Sequence, residues 1–107
     1  MISESELVDA IGPLDADALQ RWVDLGWVQP QQDGASWGFD TSDVVRVRLI
    51  CELHYDLAIE EDSMSVVLSL LDQLYATRRS LGALAAAVEA QPDDVRARIA
   101  GIVEGRL

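Results

Sequence analysis

Lysine is absent from this sequence of 107 residues, cysteine and histidine occur once each, and there are only three prolines. Each shortage excludes something. A lone Cys51 can close no internal disulfide and is too little for a Cys-rich zinc site, which points to a reducing compartment. Cys51 and His54 stand three apart on one expected helix, but two ligands make a poor metal site and the carboxylates of Glu52 and Asp56 fall on neighbouring faces. They read as a small core residue and a half-exposed helix residue. With one histidine, one cysteine and singly scattered glycines, the chain offers no nucleophile with a base and no phosphate-cradling loop. Neither an enzyme nor a bound cofactor is expected. Positive charge is scarce as well: eight arginines face 19 acidic residues, for a net charge of -11. Non-specific attraction to nucleic acid or anionic lipid is therefore disfavoured. No apolar run reaches membrane-spanning length, and the opening MISESELVDA lacks the basic, apolar character of a signal sequence. A cytoplasmic location without a membrane partner is the expectation.

What is present is half apolar and a quarter charged, the composition of a folded chain, and its length suits a single domain, 1–107. Ser3 and Glu6 form a capping box ahead of a short helix with Leu7, Val8 and Ile11 on one face, stopped by Gly12-Pro13. Asp15 caps a second helix, marked by Ala18, Leu19, Trp22, Val23 and Leu25 and closed by Gly26. Trp27-Val28 then reads as an extended arm, Gln32-Asp33-Gly34 as a turn, and Ser36-Trp37-Gly38-Phe39 as the returning arm of a small hairpin. Asp40 or Thr41 caps a third helix with a wide apolar stripe, Val44, Val47, Cys51 and Leu57 flanked by Val45, Leu49, Ile50 and Leu53, ending near Leu57 to Ile59. From 62 to 90 the spacing predicts one long helix. Val67, Leu71, Leu74, Leu81, Ala85 and Val88 form its heptad seam, with Arg78 at the one polar position. At about 28 residues it runs roughly 42 Å, too long for so small a body to cover. The seam is thus expected to support a homodimer, unless the amphipathic final segment, 92–107 with Val95, Ile99, Ile102 and Val103, folds back over it.

The order of short helix, turn, short helix, aromatic hairpin and longer helix resembles the MerR group of winged helix-turn-helix proteins. The residues that carry the likeness are Leu7-Val8-Asp9-Ala10-Ile11-Gly12, the stretch from Leu19 to Pro30 with its Gly26-Trp27-Val28-Gln29-Pro30 turn, the wing Trp37-Gly38-Phe39-Asp40, and Asp43-Val44-Val45-Arg46-Val47. The fold implied is mainly α: a winged helix-turn-helix part (3–58) with a two-stranded hairpin, followed by a long helix (62–90) and a C-terminal helix (92–107). Members that bind DNA carry an arginine early in the second helix and another between two aromatics of the wing, each able to reach a phosphate. Here those places look like Gln20 and Gly38. Asp15, Asp17, Asp24, Asp33, Asp40 and Asp43 crowd the side that would meet the duplex, so DNA binding is not expected.

A charge-reversed scaffold followed by Leu53-His54-Tyr55-Asp56-Leu57-Ala58-Ile59 and Val66-Val67-Leu68-Ser69-Leu70-Leu71-Asp72-Gln73-Leu74 is similar to the CbpM-type chaperone modulators. That resemblance implies binding to the J domain of a CbpA-type DnaJ homologue, with inhibition of its co-chaperone activity and of its DNA binding. A J domain offers a basic helix, so an acidic surface with apolar anchors suits it. On charge grounds the expected partner-binding residues are Glu52, Asp56, Glu60, Glu61, Asp62 and Asp72 around Leu57 and Ile59. The run Glu60-Glu61-Asp62 can equally cap the long helix, where carboxylates meet its positive end. A MerR-like DNA-binding regulator is the alternative, with Arg21, Arg46 and Arg48 as its exposed cations, and a plain oligomerisation module is a third.

Overall fold

The computed structural model describes residues 1–106. The side chain of Asp33 and all of Leu107 lie outside that description, and with them Asp33's part in the expected acidic side and the last residue of the expected C-terminal segment. The chain divides into two compact units, residues 1–68 and residues 69–107.

In the first unit, helix α1 (Glu4–Ala10) begins as its capping box dictates: Ser3 Oγ accepts from the Glu6 N–H at 3.2 Å while Glu6 Oε1 accepts from the Ser3 N–H at 3.3 Å. Helix α2 (Ala16–Asp24) is capped by Asp15, whose Oδ1 accepts from the Ala18 N–H at 2.7 Å. Its end is a Schellman closure. Gly26 takes φ +79°, the Gly26 N–H reaches the Val23 carbonyl and the Trp27 N–H reaches the Trp22 carbonyl at 2.9 Å, a bend that an L side chain would strain.

The hairpin pairs β1 (Gln31–Asp33) antiparallel with β2 (Ser36–Gly38), with Gln32 opposite Trp37 and Gly34 in the turn at φ +66°. This corrects the expected first arm. Trp27 and Val28 are not strand residues but core residues, 8% and 2% exposed, because the Schellman bend turns them inward before Pro30 releases the chain. Beyond β2, Ile2 and Phe39 exchange both backbone hydrogen bonds at 2.9 Å, so the N-terminus ties onto the wing, a pairing no local pattern announces.

Helix α3 (Thr41–Cys51) opens on a second reciprocal box, this time made by two aspartates: Asp40 Oδ1 accepts from the Asp43 N–H and Asp43 Oδ2 from the Asp40 N–H. It continues as one wide π turn, Glu52–Asp56, in which the Leu57 N–H reaches back to the Glu52 carbonyl. Val47, Ile50, Cys51 and Leu53 are buried, whereas Val45 and Leu57, expected in the same stripe, are 62% and 66% exposed, and Leu25, just past the end of α2, is 57% exposed. The π turn explains Leu57, since it holds an extra residue and shifts the helical register of the residues after it.

Helix α4 (Glu61–Glu89) places its first eight residues in the first unit, where Met64 and Leu68 are 0% and 2% exposed. In the second unit the rest of α4 is followed by a turn at residues 90–92 and by α5 (Asp93–Glu104), which opens after Pro92 as the sequence predicts. No residue of that unit is buried among those described.

Candidate functional site

Of the partner-binding residues expected from sequence, those from Glu52 to Asp62 lie in the first unit, along the stretch where the π turn passes into α4. Two buried tryptophans hold it. Trp22 Nε1 donates to Glu61 Oε1 at 3.1 Å, and Trp27 Nε1 donates to Ser65 Oγ at 3.1 Å. A buried indole needs an acceptor, and Glu61 and Ser65, one helical turn apart on the face that carries Met64 and Leu68, supply both. Glu61 Oε1 also accepts from Arg21 Nη2 at 3.0 Å. The hydrogen bonds from Arg21 and then Trp22 hold the Glu61 carboxyl below its usual range, and Glu61 in turn raises the Arg21 guanidinium. Among the expected partner residues, Glu61 is thus committed to an internal bond between α2 and α4. The only trace of this role in the sequence is the spacing of Glu61, Met64, Ser65 and Leu68 on one face of a helix, in a chain with tryptophans to satisfy.

On the other side of the junction, His54 Nδ1 donates to the Ile59 carbonyl at 2.8 Å, and its ring meets those of Trp22 and Tyr55 edge-on, with centroids 6.4 and 4.9 Å away, the three rings forming a triangle. The chain can turn here only because Ala58 adopts φ +57°, the left-handed region, while the Ile59 N–H closes on the Leu53 carbonyl at 2.9 Å. Ile59 is half-buried with its carbonyl engaged, and Leu57 stands out into solvent. Glu52, Asp56, Glu60 and Asp62 are exposed as well. Asp72 is an exposed residue of the second unit.

Glu52 and Asp56 also line a pocket of about 260 Å³ together with Ile11, Pro13, Arg48 and Cys51. Burial, and after it the charge of Asp56, pushes the Cys51 thiol up to about 11, so it stays protonated and is a poor nucleophile or metal ligand near neutral pH. Among the described residues no group of three His, Cys, Asp or Glu could hold a metal ion, and no helix is long and apolar enough to cross a membrane.

Of the three arginines expected for DNA binding, two make internal bonds and the third, Arg48, is exposed. Arg21 is bound by Glu61, and Arg46 Nε donates to the Trp27 carbonyl at 3.0 Å. Gln20 donates to Asp24. Gly38 is buried in the wing, where a Cβ would come within 3.1 Å of the Met1 side chain. Trp37, in contrast to the other two tryptophans, is half-exposed.

Two helices joined by a tight turn, a wing, and a capped helix leading into a long one define a winged helix-turn-helix protein. A family model described as MerR HTH family regulatory protein matches residues 4–85, three quarters of the chain. The chain belongs to that family, and a MerR-like regulator is what the family makes of it. Neither a curated protein nor a solved structure matches it. Residues 86–107, with all of α5, lie beyond the family match.

Proposed function

We propose that this MerR-family chain is a CbpM-type chaperone modulator that binds the J domain of a CbpA-type DnaJ homologue and keeps it from Hsp70 and from DNA. The observation that carries the reading is the junction: an exposed Leu57 on a stretch of chain whose carboxylates Glu52, Asp56, Glu60 and Asp62 are exposed as well. On the same scaffold, Arg21 and Arg46, two of the three arginines that a DNA side would use, make internal bonds. A basic amphipathic helix fits such a surface. Charge steers and orients the encounter, while affinity comes from a few apolar anchors, here Leu57 and the partly exposed ring of Tyr55. Ile59 acts from beneath by holding His54, and Glu61 by docking α4. Asp72, which lies in the second unit, adds to the overall negative field.

Calorimetry against a purified J domain at low and physiological salt tests this. Asp56→Lys with Glu60→Lys should weaken binding by at least about tenfold at low salt, with a smaller loss at high salt, because screening already removes part of the attraction. Glu61 is left intact, since a lysine there would lose the acceptor that Arg21 and Trp22 share. Unchanged affinity with unchanged helical content would remove the junction as the site. The family match is equally compatible with a DNA-binding regulator. Saturable, sequence-dependent gel retardation at physiological salt would establish that reading instead.

A further inference from the structure

Glu52 and Asp56 are more than surface charges, because they also wall the pocket of about 260 Å³ in the first unit. Three stretches of chain meet there: residues 10–13 at the end of α1, Arg48 and Cys51 of α3, and Glu52 and Asp56 of the π turn. Its lining is sorted by chemistry. Ile11 and Cys51, 6% and 5% exposed, give it a buried apolar floor that Pro13 extends. Arg48, Glu52 and Asp56 are exposed and bring all of its charge. Each of the three acts on the Cys51 thiol, Asp56 most strongly among them, so their charges are felt at the floor and not only at the surface. The thiol itself has no hydrogen-bond partner among the described residues.

We infer that this pocket is the socket for one long basic side chain of the partner, an arginine or a lysine; the inference rests on the J-domain reading and says where that domain's positive face is held. Three properties select such an occupant. The first is size. A volume of 260 Å³ is that of a sphere about 8 Å across, narrower than the 10–12 Å of a helix with its side chains, so a single side chain enters and the helix that carries it stays outside. The second is charge. Two carboxylates face one guanidinium, which leaves one negative charge in the free chain, and one cation neutralises it. Arg48 makes no ion pair among the described residues, so it is free to swing outward as the new cation enters. The third is the lining. Arginine and lysine carry a methylene stem ahead of their charge. The stem lies against Ile11, Pro13 and Cys51, and the head meets Glu52 and Asp56, where a guanidinium can donate to both at once. In a recess with an apolar floor such a pair is screened less than on open surface. The pocket thus adds a point of registry to the steering that the exposed carboxylates supply.

Calorimetry of the full chain against a purified J domain tests this with two variants that leave Leu57, Glu60 and Asp62 untouched. Gly12→Leu puts an uncharged side chain on the pocket wall. A Cβ at Gly12 meets nothing within 4 Å, so the fold accommodates it, and an unchanged melting temperature verifies that. It should weaken binding about tenfold at low and at physiological salt alike, because obstruction is not screened. Glu52→Gln keeps the shape and removes one charge; its smaller loss should fade as salt rises. Replacing the lysines and arginines of the J domain by alanine, one at a time, then locates the occupant. One replacement should cost about tenfold against the unaltered chain and little against Gly12→Leu or Glu52→Gln, the behaviour of a coupled pair. Absence of binding to the unaltered chain overturns the J-domain reading and this inference with it. Binding that Asp56→Lys with Glu60→Lys weakens, that Gly12→Leu leaves unchanged, and in which no basic residue couples to Glu52, overturns the inference alone, since the carboxylates then act only from the open surface.

Discussion

Residues 1–68 and residues 69–107 draw on similar apolar alphabets and use them in opposite ways. Among the described residues, every buried apolar one belongs to the first group, from Leu7 to Leu68, while Leu70, Leu74, Leu81, Leu84, Ile102 and Val103 of the second are 43% to 63% exposed. The difference is one of layers. Short helices, a wing and the start of α4 meet from several directions around Trp22, Phe39 and Met64, so each apolar face finds a counterpart. Two helices side by side can bury only the line between them. Apolar content alone does not make a core; converging elements do.

The sharpest way to break this contrast is at its centre. Trp22→Ala removes a side chain that is 0% exposed and also the indole hydrogen bond to Glu61, and should cost about 3–5 kcal/mol, enough to unfold most of a marginal unit. Urea denaturation followed by circular dichroism measures it, and a loss below about 1 kcal/mol would deny Trp22 its place in the core. Within α4 itself, Met64→Ala should cost about 2–4 kcal/mol, whereas Leu70→Ala, at a position 60% exposed, should cost under about 0.5 kcal/mol. Equal effects would mean that the boundary between the units is misplaced.

Acid should act on the first unit through Glu61. Its carboxyl is held below the ordinary value near 4.5, first by the Arg21 hydrogen bond and then by that of Trp22. A lowered folded-state value means that the contribution is complete above the unfolded value and is lost as pH falls through the folded one. The melting temperature of the native chain should therefore drop below about pH 4.5, and Glu61→Gln should flatten that fall. An identical acid limb in the variant would show that other carboxylates set it.

The smallest effect concerns the two bends that aim the chain at α4. Gly26 and Ala58 both sit in the left-handed region, but only the first is a residue suited to it. Ala58→Gly should gain about 0.5–1 kcal/mol, because relief of the strained φ outweighs the added freedom of the unfolded chain. A loss of stability on chemical denaturation would show that the methyl group packs rather than strains.

Features decided within four or five residues are legible directly. The capping box at Ser3, the cap at Asp15, the closure at Gly26 and the start of α5 after Pro92 appear where the pattern predicts them, and Asp40 takes the cap left open between it and Thr41, because a cap needs only its own turn. The wing lies further along the chain than its pattern suggests, since Trp27 and Val28 look alike as strand or as core. Leu57 falls in the buried stripe only if every turn holds 3.6 residues, and the π turn at Glu52–Asp56 breaks that count. Glu61 reads as a surface carboxylate, as nothing near it in sequence reveals an arginine and an indole 40 and 39 residues away.

The sequence by itself determined the helices, the MerR-like order of elements, the single buried thiol and the excess of negative charge, since composition and short-range pattern do not depend on how the chain returns upon itself. Only the tertiary structure decided which carboxylates remain available. It turned Glu61 to satisfy two donors from α2, left Glu52, Asp56, Glu60, Asp62 and Leu57 exposed, and engaged Arg21 and Arg46 in internal bonds. Hydrogen bonds between groups far apart in the chain form only once packing has brought them within roughly 3 Å, and that is where the charge pattern acquires its meaning.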